Sequence, residues 1–329
     1  MKWEDYRKSD NVEDRRGEAS GGGFQFPMGG AGRLGIGGLI VVGLISWALG
    51  IDPRILIGGL DMIQGGGQQP YQQPYQQPRQ QPYQQPRQQP YQQPYQQSRV
   101  PTPGPGQAPT RPGMPQDQQG QFAAATLAQT EDVWSKVFAA TGKNYVNPRM
   151  VLFSGRTQSG CGTAQSAMGP FYCPQDRRLY LDLTFFRDLR DRFHAPGEFA
   201  AAYVIAHEVG HHVQNLTGTL PQVQQRMQAL PRAQSNSLSV RLELQADCLA
   251  GVWAYHADTE LKVLQPGDVE KALAAANAIG DDRLQRQTQG TIVPDSFTHG
   301  SSQQRVSWFT TGLKSGKIES CDTFAQGTQ

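Results

Sequence analysis

The spacing of apolar side chains in the second half of the chain predicts helices beside a few short strands. EFAAAYVIAHEVGHHVQNLTG is apolar at helical spacing and predicts a long helix that stops at Gly218, because glycine commonly ends helices. RMVLFSG and RRLYLDLTFF carry the β-branched, aromatic or alternating residues of strands. Further helices are expected at 131–142, 222–230, 237–257, 268–280 and 302–313. These elements predict one α+β, mainly helical domain over residues 121–329.

Residues 52–120 lack this patterning. From Gly65 onward they consist largely of repeated QQPY and QQPR units with almost no aliphatic side chains, so they cannot bury enough surface to offset the entropy of folding. We therefore predict a disordered Gly/Pro/Gln-rich linker, in which regular proline favours an extended spacer. Alternatively, the repeats bind an aromatic-lined groove of a partner in the cell envelope.

Residues 34–51 form a stretch of eighteen residues without a charge, about the minimum length for a transmembrane helix. Its five glycines disfavour a soluble helix but are tolerated in a membrane. A buried core helix is excluded by context, because a polar N-terminal region and the repeat linker flank the stretch. A cleaved signal peptide fits less well, since the preceding region is as acidic as it is basic and no clear A-x-A site follows. We predict a single transmembrane anchor.

Charges around this stretch predict its orientation. Arg15, Arg16 and Arg33 precede it and Arg54 follows, so the Lys/Arg bias places a tail of residues 1–33 in the cytoplasm. The domain would then be periplasmic or extracellular, attached to the inner (cytoplasmic) membrane. From Gln121 onward the chain has nineteen basic and nineteen acidic residues, a balance that gives no reason to expect a nucleic-acid partner.

Cysteine usage agrees with export. Cys161, Cys173, Cys248 and Cys321 all lie on the predicted outer side, and an even number there indicates two disulfides. Three pairings are possible; Cys161 with Cys173 is the expected local bridge, which leaves Cys248 with Cys321. A structural zinc site is the alternative, but the closely spaced cysteine pairs that it needs are missing.

The apolar helix contains the motif HEVGH. His207 and His211 are four residues apart, so both imidazoles project from one helix face within reach of one ion. Neutral imidazole is a good ligand for Zn²⁺, and Glu208 lies close enough to take a proton from an activated water. For this motif taken alone, a pair of hydrogen-bonded core histidines is the alternative.

A second predicted helix supplies a candidate third ligand in RLELQADCLAG. Glu243 and Asp247 are four residues apart and therefore face the same way. Two carboxylates in a mostly apolar helix are costly to bury unless they bind a metal or form pairs. We expect Glu243 to bind the ion and Asp247 to accept the outer N–H of a ligand histidine. An ordinary salt bridge to Arg241 or another cation is the alternative.

HEVGH followed by ELQAD resembles the zinc metallopeptidases that use a downstream glutamate as third ligand, the gluzincin-like enzymes. Leu242 stands where thermolysin-like enzymes have asparagine. The whole chain resembles a bacterial family of membrane-anchored neutral zinc metallopeptidases, through MKWEDYRKSDNVEDRRG, GCG…GPFYCP…LYLD, HEVGHH, ELQADCLAG and SFTHGSSQQRVSWF. The resemblance covers nearly everything except the repeats. It implies a zincin-like fold, one Zn²⁺ on His207, His211 and Glu243, and Glu208 as the base.

The family resemblance also suggests a role for His299, whereas the other histidines are interpreted from their place in the sequence. His299 lies where related enzymes have a T/S-H-P-x-x-x-x-R segment whose histidine stabilises the oxyanion, which makes His299 a candidate catalytic group. Gly300 replaces the proline of that pattern, so a structural role for His299 is the alternative. We interpret His212 as structural because it points away from the ion on a regular helix, and His194 and His256 because they lack a partner motif.

These features predict a membrane-anchored zinc metallopeptidase that hydrolyses peptide or protein substrates. The strand RRLYLDL is the expected edge on which an extended peptide pairs. The alternative function is a catalytically weak zincin-fold scaffold that binds partners in the cell envelope, and hydrolysis of a non-protein amide such as one in the cell wall is a third.

Overall fold

Helices make up most of the chain that this computed structural model describes, residues 1–17 and 114–325. In chain order they are α1 (Gln118–Ala140), α2 (Phe185–Asp191), α3 (Glu198–Thr217), α4 (Thr219–Met227), α5 (Arg232–Thr259), α6 (Asp268–Ala278), α7 (Asp281–Gln289) and α8 (Ser302–Ser315). The predicted α+β, mainly helical fold is confirmed.

A small mixed sheet packs beside the helices. Its strands and those of a separate hairpin are β1 (Val12–Asp14), β2 (Arg149–Phe153), β3 (Arg156–Ser159), β4 (Gly162–Gln165), β5 (Phe171–Cys173) and β6 (Arg178–Asp182). The sheet order is β1-β2-β6-β5, with β5 antiparallel to β6 and the other pairs parallel, while β3 and β4 form the hairpin. The segment RRLYLDL is therefore an inner strand, so its prediction as the edge was wrong; β5 is the end strand on that side.

The strand predicted in RRLYLDLTFF is also shorter than expected. It ends at Asp182, whose carboxylate accepts a hydrogen bond from the backbone N–H of Thr184 at 2.9 Å. Such an aspartate turn redirects the chain two residues on. Phe185 consequently begins α2 instead of extending the strand.

Residues 1–17, predicted as part of a cytoplasmic tail, belong to the folded domain. β1 pairs with β2, and Trp3 is only 4% exposed. The Trp3 indole N–H donates to the carboxylate of Glu198 at the start of α3, at 2.9 Å. The predicted boundaries are corrected accordingly: the domain includes residues 1–17, and its first helix begins at Gln118 rather than at Glu131.

This arrangement restricts the membrane topology. Residues 1–17 and 114–325 belong to one folded unit and therefore lie in the same compartment. A single crossing by the predicted span at 34–51 would separate them, so a cytoplasmic N-terminus on a single-pass, exported domain is inconsistent with this fold. That span and most of the predicted linker lie outside the described residues. Within the described ranges, no helix is long and apolar enough to cross a membrane.

Close helix crossings at glycine bring the functional helices together. Gly210 of α3 faces α5, where an added Cβ would lie 2.9 Å from the backbone oxygen of Ala246. Gly251 of α5 and Gly312 of α8 face one another's helices, where an added Cβ would overlap the opposite backbone. Because glycine permits such close approach, both α3 and α8 pack directly on α5, and side chains from all three helices meet at one point.

Candidate metal centre

Helices α3 and α5 place three potential metal ligands side by side. His207 Nε2 lies 3.1 Å from Glu243 Oε2, and His211 Nε2 lies 3.5 Å from Glu243 Oε1. One donor atom from each of the three residues falls within 4.8 Å of the others. Tetrahedral zinc with bonds of about 2.0–2.1 Å holds its donor atoms roughly 3.3 Å apart, so the two measured separations fit this ion.

The outer nitrogens of both histidines have hydrogen-bond acceptors. His207 Nδ1 lies 2.9 Å from Asp247 Oδ1, and His211 Nδ1 lies 2.9 Å from Gln214 Oε1. With the proton on Nδ1, each Nε2 presents a lone pair towards Glu243. Gln214 is oriented by its own amide group, which donates to the backbone oxygen of Leu242 at 2.7 Å. The helical spacing of the motif did not reveal this role of Gln214.

Asp247 is shared by two further donors that the sequence analysis did not assign. The Tyr203 hydroxyl donates to Asp247 Oδ1 at 2.5 Å, and the Arg305 guanidinium donates to both carboxylate oxygens at 2.9 and 3.0 Å. All three side chains are buried, with Asp247 and Tyr203 at 0% exposure. Arg305 could have been found from the sequence, because it is the arginine that ends the segment SFTHGSSQQR. Nothing in the local sequence pattern marks Tyr203 as a partner of Asp247.

Opposite charges in the cluster shift the pKa values of the ligands strongly. Burial lowers the pKa of His207, but the carboxylates of Asp247 and Glu243 outweigh burial and raise it to about 10. Burial likewise lowers the pKa of His211, and Glu243 raises it overall. Burial raises the pKa of Glu243, yet the two imidazoles hold it well below its usual value. A site that attracts a proton this strongly also attracts a metal cation, because both compete for the same lone pairs.

Glu208 lies beside the ligands without belonging to the three-donor group. It is 8% exposed and lines the same cleft as His207 and His211. Burial raises the pKa of Glu208, although the neighbouring imidazoles partly offset this effect. A carboxylate with a raised pKa is a stronger base at neutral pH than an ordinary surface glutamate.

His299 also lines the cleft, and it is held by Asp281 at the start of α7. The Asp281 carboxylate accepts hydrogen bonds from the backbone N–H of Thr298, His299 and Gly300 and lies 3.1 Å from His299 Nδ1. This hydrogen bond raises the pKa of His299. Gly300 has a φ of +92°, a conformation that proline cannot adopt. The backbone thus accounts for the departure from the proline-containing pattern.

The other histidines lie away from the three ligands. His212 is fully buried and contacts Tyr172 and the backbone oxygen of Val146 instead. His256 contacts Glu260 and the backbone oxygen of Gly316. His194 is exposed in a left-handed backbone conformation with φ 51°.

A cleft of about 600 Å³ opens over the metal centre. On the side of the sheet the cleft is lined by residues 166–172, which include the first two residues of the end strand β5. Much of its remaining wall is apolar and consists of Phe185, Phe193, Val204, Leu220, Met227, Leu242, Ile279 and Leu284. The cleft therefore combines a charged centre with a surface suited to apolar side chains.

Comparison with known proteins places the chain in a family. The sequence profile of the family described as "Putative neutral zinc metallopeptidase" matches residues 1–93 and 91–324. The chain belongs to this family. The uncharacterized protein YpfJ of Escherichia coli is 44% identical to it over 332 aligned positions, which cover 99% of each chain. The uncharacterized protein Rv2575 of Mycobacterium tuberculosis is 46% identical over 211 positions, 61% of this chain and 69% of its own. No solved structure gives a significant match.

The residues of this site suit the metal that the family description implies. Two imidazole nitrogens and one carboxylate form a donor set typical of catalytic zinc, which keeps a position open for water or substrate. The hydrogen-bond acceptors behind both imidazoles complete the arrangement that fixes metal-binding histidines.

Both predicted disulfides are confirmed. Cys161–Cys173 joins the end of β5 to the hairpin loop, and Cys248–Cys321 joins α5 to the C-terminal segment. Cys248 follows Asp247 directly, so the second bridge fixes the part of α5 that faces the metal centre. The structure contains no free cysteine among the described residues.

Proposed function

We propose that this protein hydrolyses peptide bonds in its cleft, using one zinc ion on His207, His211 and Glu243. The observation that carries the proposal is the position of Glu208, a buried carboxylate with a raised pKa that lies against both ligand histidines and lines the cleft. A site that held metal for stability alone would have no need of this base. That argument favours hydrolysis over a scaffolding role.

Each side chain contributes a separate step. When bound, zinc supplies Lewis acidity, which polarises a carbonyl and lowers the pKa of water. Glu208 accepts the proton of the attacking water and returns it to the departing amine. His299, protonated through its contact with Asp281, donates a hydrogen bond to the developing oxyanion. Asp247 keeps His207 in the tautomer and orientation that the metal requires.

The shape of the cleft supports a peptide substrate with an apolar side chain next to the scissile bond. Within the described part of the chain, β5 pairs on one side only, with β6, and its residues Phe171 and Tyr172 line the cleft. An extended peptide can add to such an edge through backbone hydrogen bonds. The apolar wall then receives a side chain such as leucine or phenylalanine.

We further propose that the enzyme works in an oxidising compartment outside the cytoplasm. Two disulfides are typical of exported proteins, and β1 requires residues 1–17 to be exported too. A membrane-impermeant thiol reagent should therefore label Asp5→Cys and Asp258→Cys equally in intact cells. Labelling of only one position, or of neither, would contradict the proposal.

The direct test of hydrolysis uses the purified full chain and a library of peptides with apolar residues at defined positions. We expect cleavage that a chelator abolishes and zinc restores. Glu208→Gln should keep its zinc while the rate falls by roughly 10²–10⁴-fold. A zinc-loaded Glu208→Gln protein that cleaves as fast as the wild type would rule out this mechanism.

A further inference from the structure

A buried hydrogen-bond cluster, which we call the Tyr172 cluster, joins the metal helix to the end strand of the sheet. It consists of Tyr172 on β5 and of His212 and Asn215 on α3. The Tyr172 hydroxyl lies 3.0 Å from His212 Nδ1 and accepts a hydrogen bond from Asn215 Nδ2 at 2.9 Å. None of these side chains belongs to the three-donor metal group.

The direction of each hydrogen bond follows from the partners. His212 Nε2 lies 2.6 Å from the backbone oxygen of Val146, which only accepts, so Nε2 carries the proton. The Tyr172 hydroxyl has a single proton, and because Asn215 donates to its oxygen, that proton is free to point at His212 Nδ1. The Tyr172 hydroxyl therefore donates to His212 and accepts from Asn215, which uses both of its hydrogen-bonding functions.

The cluster lies on the same face of α3 as the proposed base. Glu208, His212 and Asn215 follow each other at intervals of four and three residues, the spacing of one helix face. That face lies against β5, because Tyr172 is hydrogen-bonded to His212 and Asn215, and Tyr172 and Glu208 line the same cleft. The position of β5 against Glu208 thus depends on contacts made beside the metal ligands.

Strand β5 has few other attachments. It is three residues long, and among the described strands it pairs only with β6. The Cys161–Cys173 bridge links its end to an exposed loop rather than to α3. Hydrogen bonds from Tyr172 are consequently the main polar link between β5 and the helix that carries HEVGH.

We propose that His212 and Asn215 are positioning residues that act through Tyr172, holding β5 at the distance from Glu208 at which an extended peptide binds. This inference rests on the proposed peptidase function. It gives His212, the last histidine of the HEVGHH sequence, a role in substrate binding rather than in metal binding.

The chain offers a matched pair of variants for the test. Tyr172→Phe removes the hydroxyl that joins β5 to α3. Tyr145→Phe removes a hydroxyl from a ring that packs on the same His212 imidazole, at 5.7 Å between ring centroids. The buried oxygen of Tyr145 has no hydrogen-bond partner among the residues that the structure describes. Both variants lose one oxygen atom next to His212, and only the first loses the link.

The first readout is steady-state cleavage of an internally quenched peptide with leucine at its centre by the full-length protein. For Tyr172→Phe we expect KM to rise roughly tenfold, with kcat changed less than about threefold and zinc content unchanged. Tyr145→Phe should match the wild type. His212→Leu should behave like Tyr172→Phe, whereas His212→Gln, which retains a donor and an acceptor, should recover most of the loss.

The second readout does not need a substrate. Amide hydrogen exchange of residues 169–173 should become roughly tenfold faster in Tyr172→Phe and remain unchanged in Tyr145→Phe. Equal KM and equal exchange in the two variants would overturn the proposal, as would a loss of thermal stability without a change in KM. If the zinc-loaded wild type cleaved no peptide, the proposed function would fail, and the exchange measurement would still decide whether the cluster holds β5.

Discussion

At the scale of single residues, the metal centre depends on Asp247, a carboxylate that is not itself one of the three potential metal ligands. Asp247 receives hydrogen bonds from His207, Tyr203 and Arg305, and it is completely buried. Burial raises the pKa of Asp247, but the Arg305 guanidinium and the His207 imidazole reverse this shift and lower it overall. The charge is stable there only because its partners are present, since an unpaired buried charge is costly.

Replacing this carboxylate by an amide should weaken the metal site without removing a ligand. In Asp247→Asn the side chain keeps its shape but no longer fixes the His207 tautomer, so we expect zinc affinity to fall by about 10–100-fold. Competition with a chelator measures the change. Asp258→Asn, an exposed acid on the same helix, is the control and should bind zinc like the wild type. Equal affinity of both variants would show that Asp247 does not support His207.

The sequence allowed the three ligands to be predicted, because each pair is related by helical spacing or by a recognisable motif. His207 and His211 share one turn of a helix, and Glu243 stood out as a carboxylate in an apolar helix. Arg305 and Tyr203 could not be predicted in the same way. Their partner Asp247 is distant in sequence, and only the packing of α3 and α8 on α5 brings them to it.

At the scale of elements, the glycines of the helix crossings decide how close the ligands come. Gly210, inside the HEVGH motif, lets α3 approach the backbone of Ala246 on α5 closely. A side chain at this position would move the imidazoles away from Glu243. The motif therefore contains a packing requirement in addition to its ligands and base.

The expected effect of Gly210→Ala follows from this contact. The new methyl group would lie 2.9 Å from the Ala246 oxygen, and overpacking of this kind costs about 1–3 kcal/mol of unfolding free energy. We expect a lower unfolding midpoint in urea together with weaker zinc binding. Ala normally favours helices over Gly, so a more stable variant with unchanged zinc affinity would contradict the account of this crossing.

Elements whose own sequence marks their bounds could be predicted, whereas elements that depend on distant partners could not. The C-terminal end of helix α3 could be predicted, because Gly218 directly follows it and adopts a left-handed conformation with φ +84°. Strand β1 could not, because its sequence VED is mostly polar and its parallel partner lies beyond the repeat region. The same holds for β5, which has only three residues between a turn and a disulfide cysteine.

At the scale of the whole molecule, the N-terminal segment completes the domain instead of preceding it. Ser9 Oγ and Asn11 Nδ2 both donate to the buried carboxylate of Glu131 on α1, at 2.5 and 2.7 Å. Trp3 packs edge-to-face on Phe122 of the same helix at 5.6 Å between ring centroids. A protein truncated to its predicted domain would lack these contacts, so functional studies need the full chain.

Stability measurements can show how much this segment contributes. Trp3→Ala in the full chain should lower the free energy of unfolding by about 3–5 kcal/mol, the usual cost of truncating a buried tryptophan. Urea denaturation followed by far-UV circular dichroism measures the loss. Asp5→Ala, an exposed neighbour, should change stability by no more than about 0.5 kcal/mol. Similar curves for both variants would mean that residues 1–17 are not part of the cooperative unit.

The zinc content of the full-length protein tests the central claim most directly. We predict about one zinc ion per wild-type chain, with sharp losses in His211→Ala and Glu243→Ala. His194→Asn, a change at an exposed histidine in a backbone conformation that asparagine tolerates, should retain the metal. Absence of zinc from the wild type, or full zinc content in Glu243→Ala, would contradict the assignment of these side chains as the metal centre.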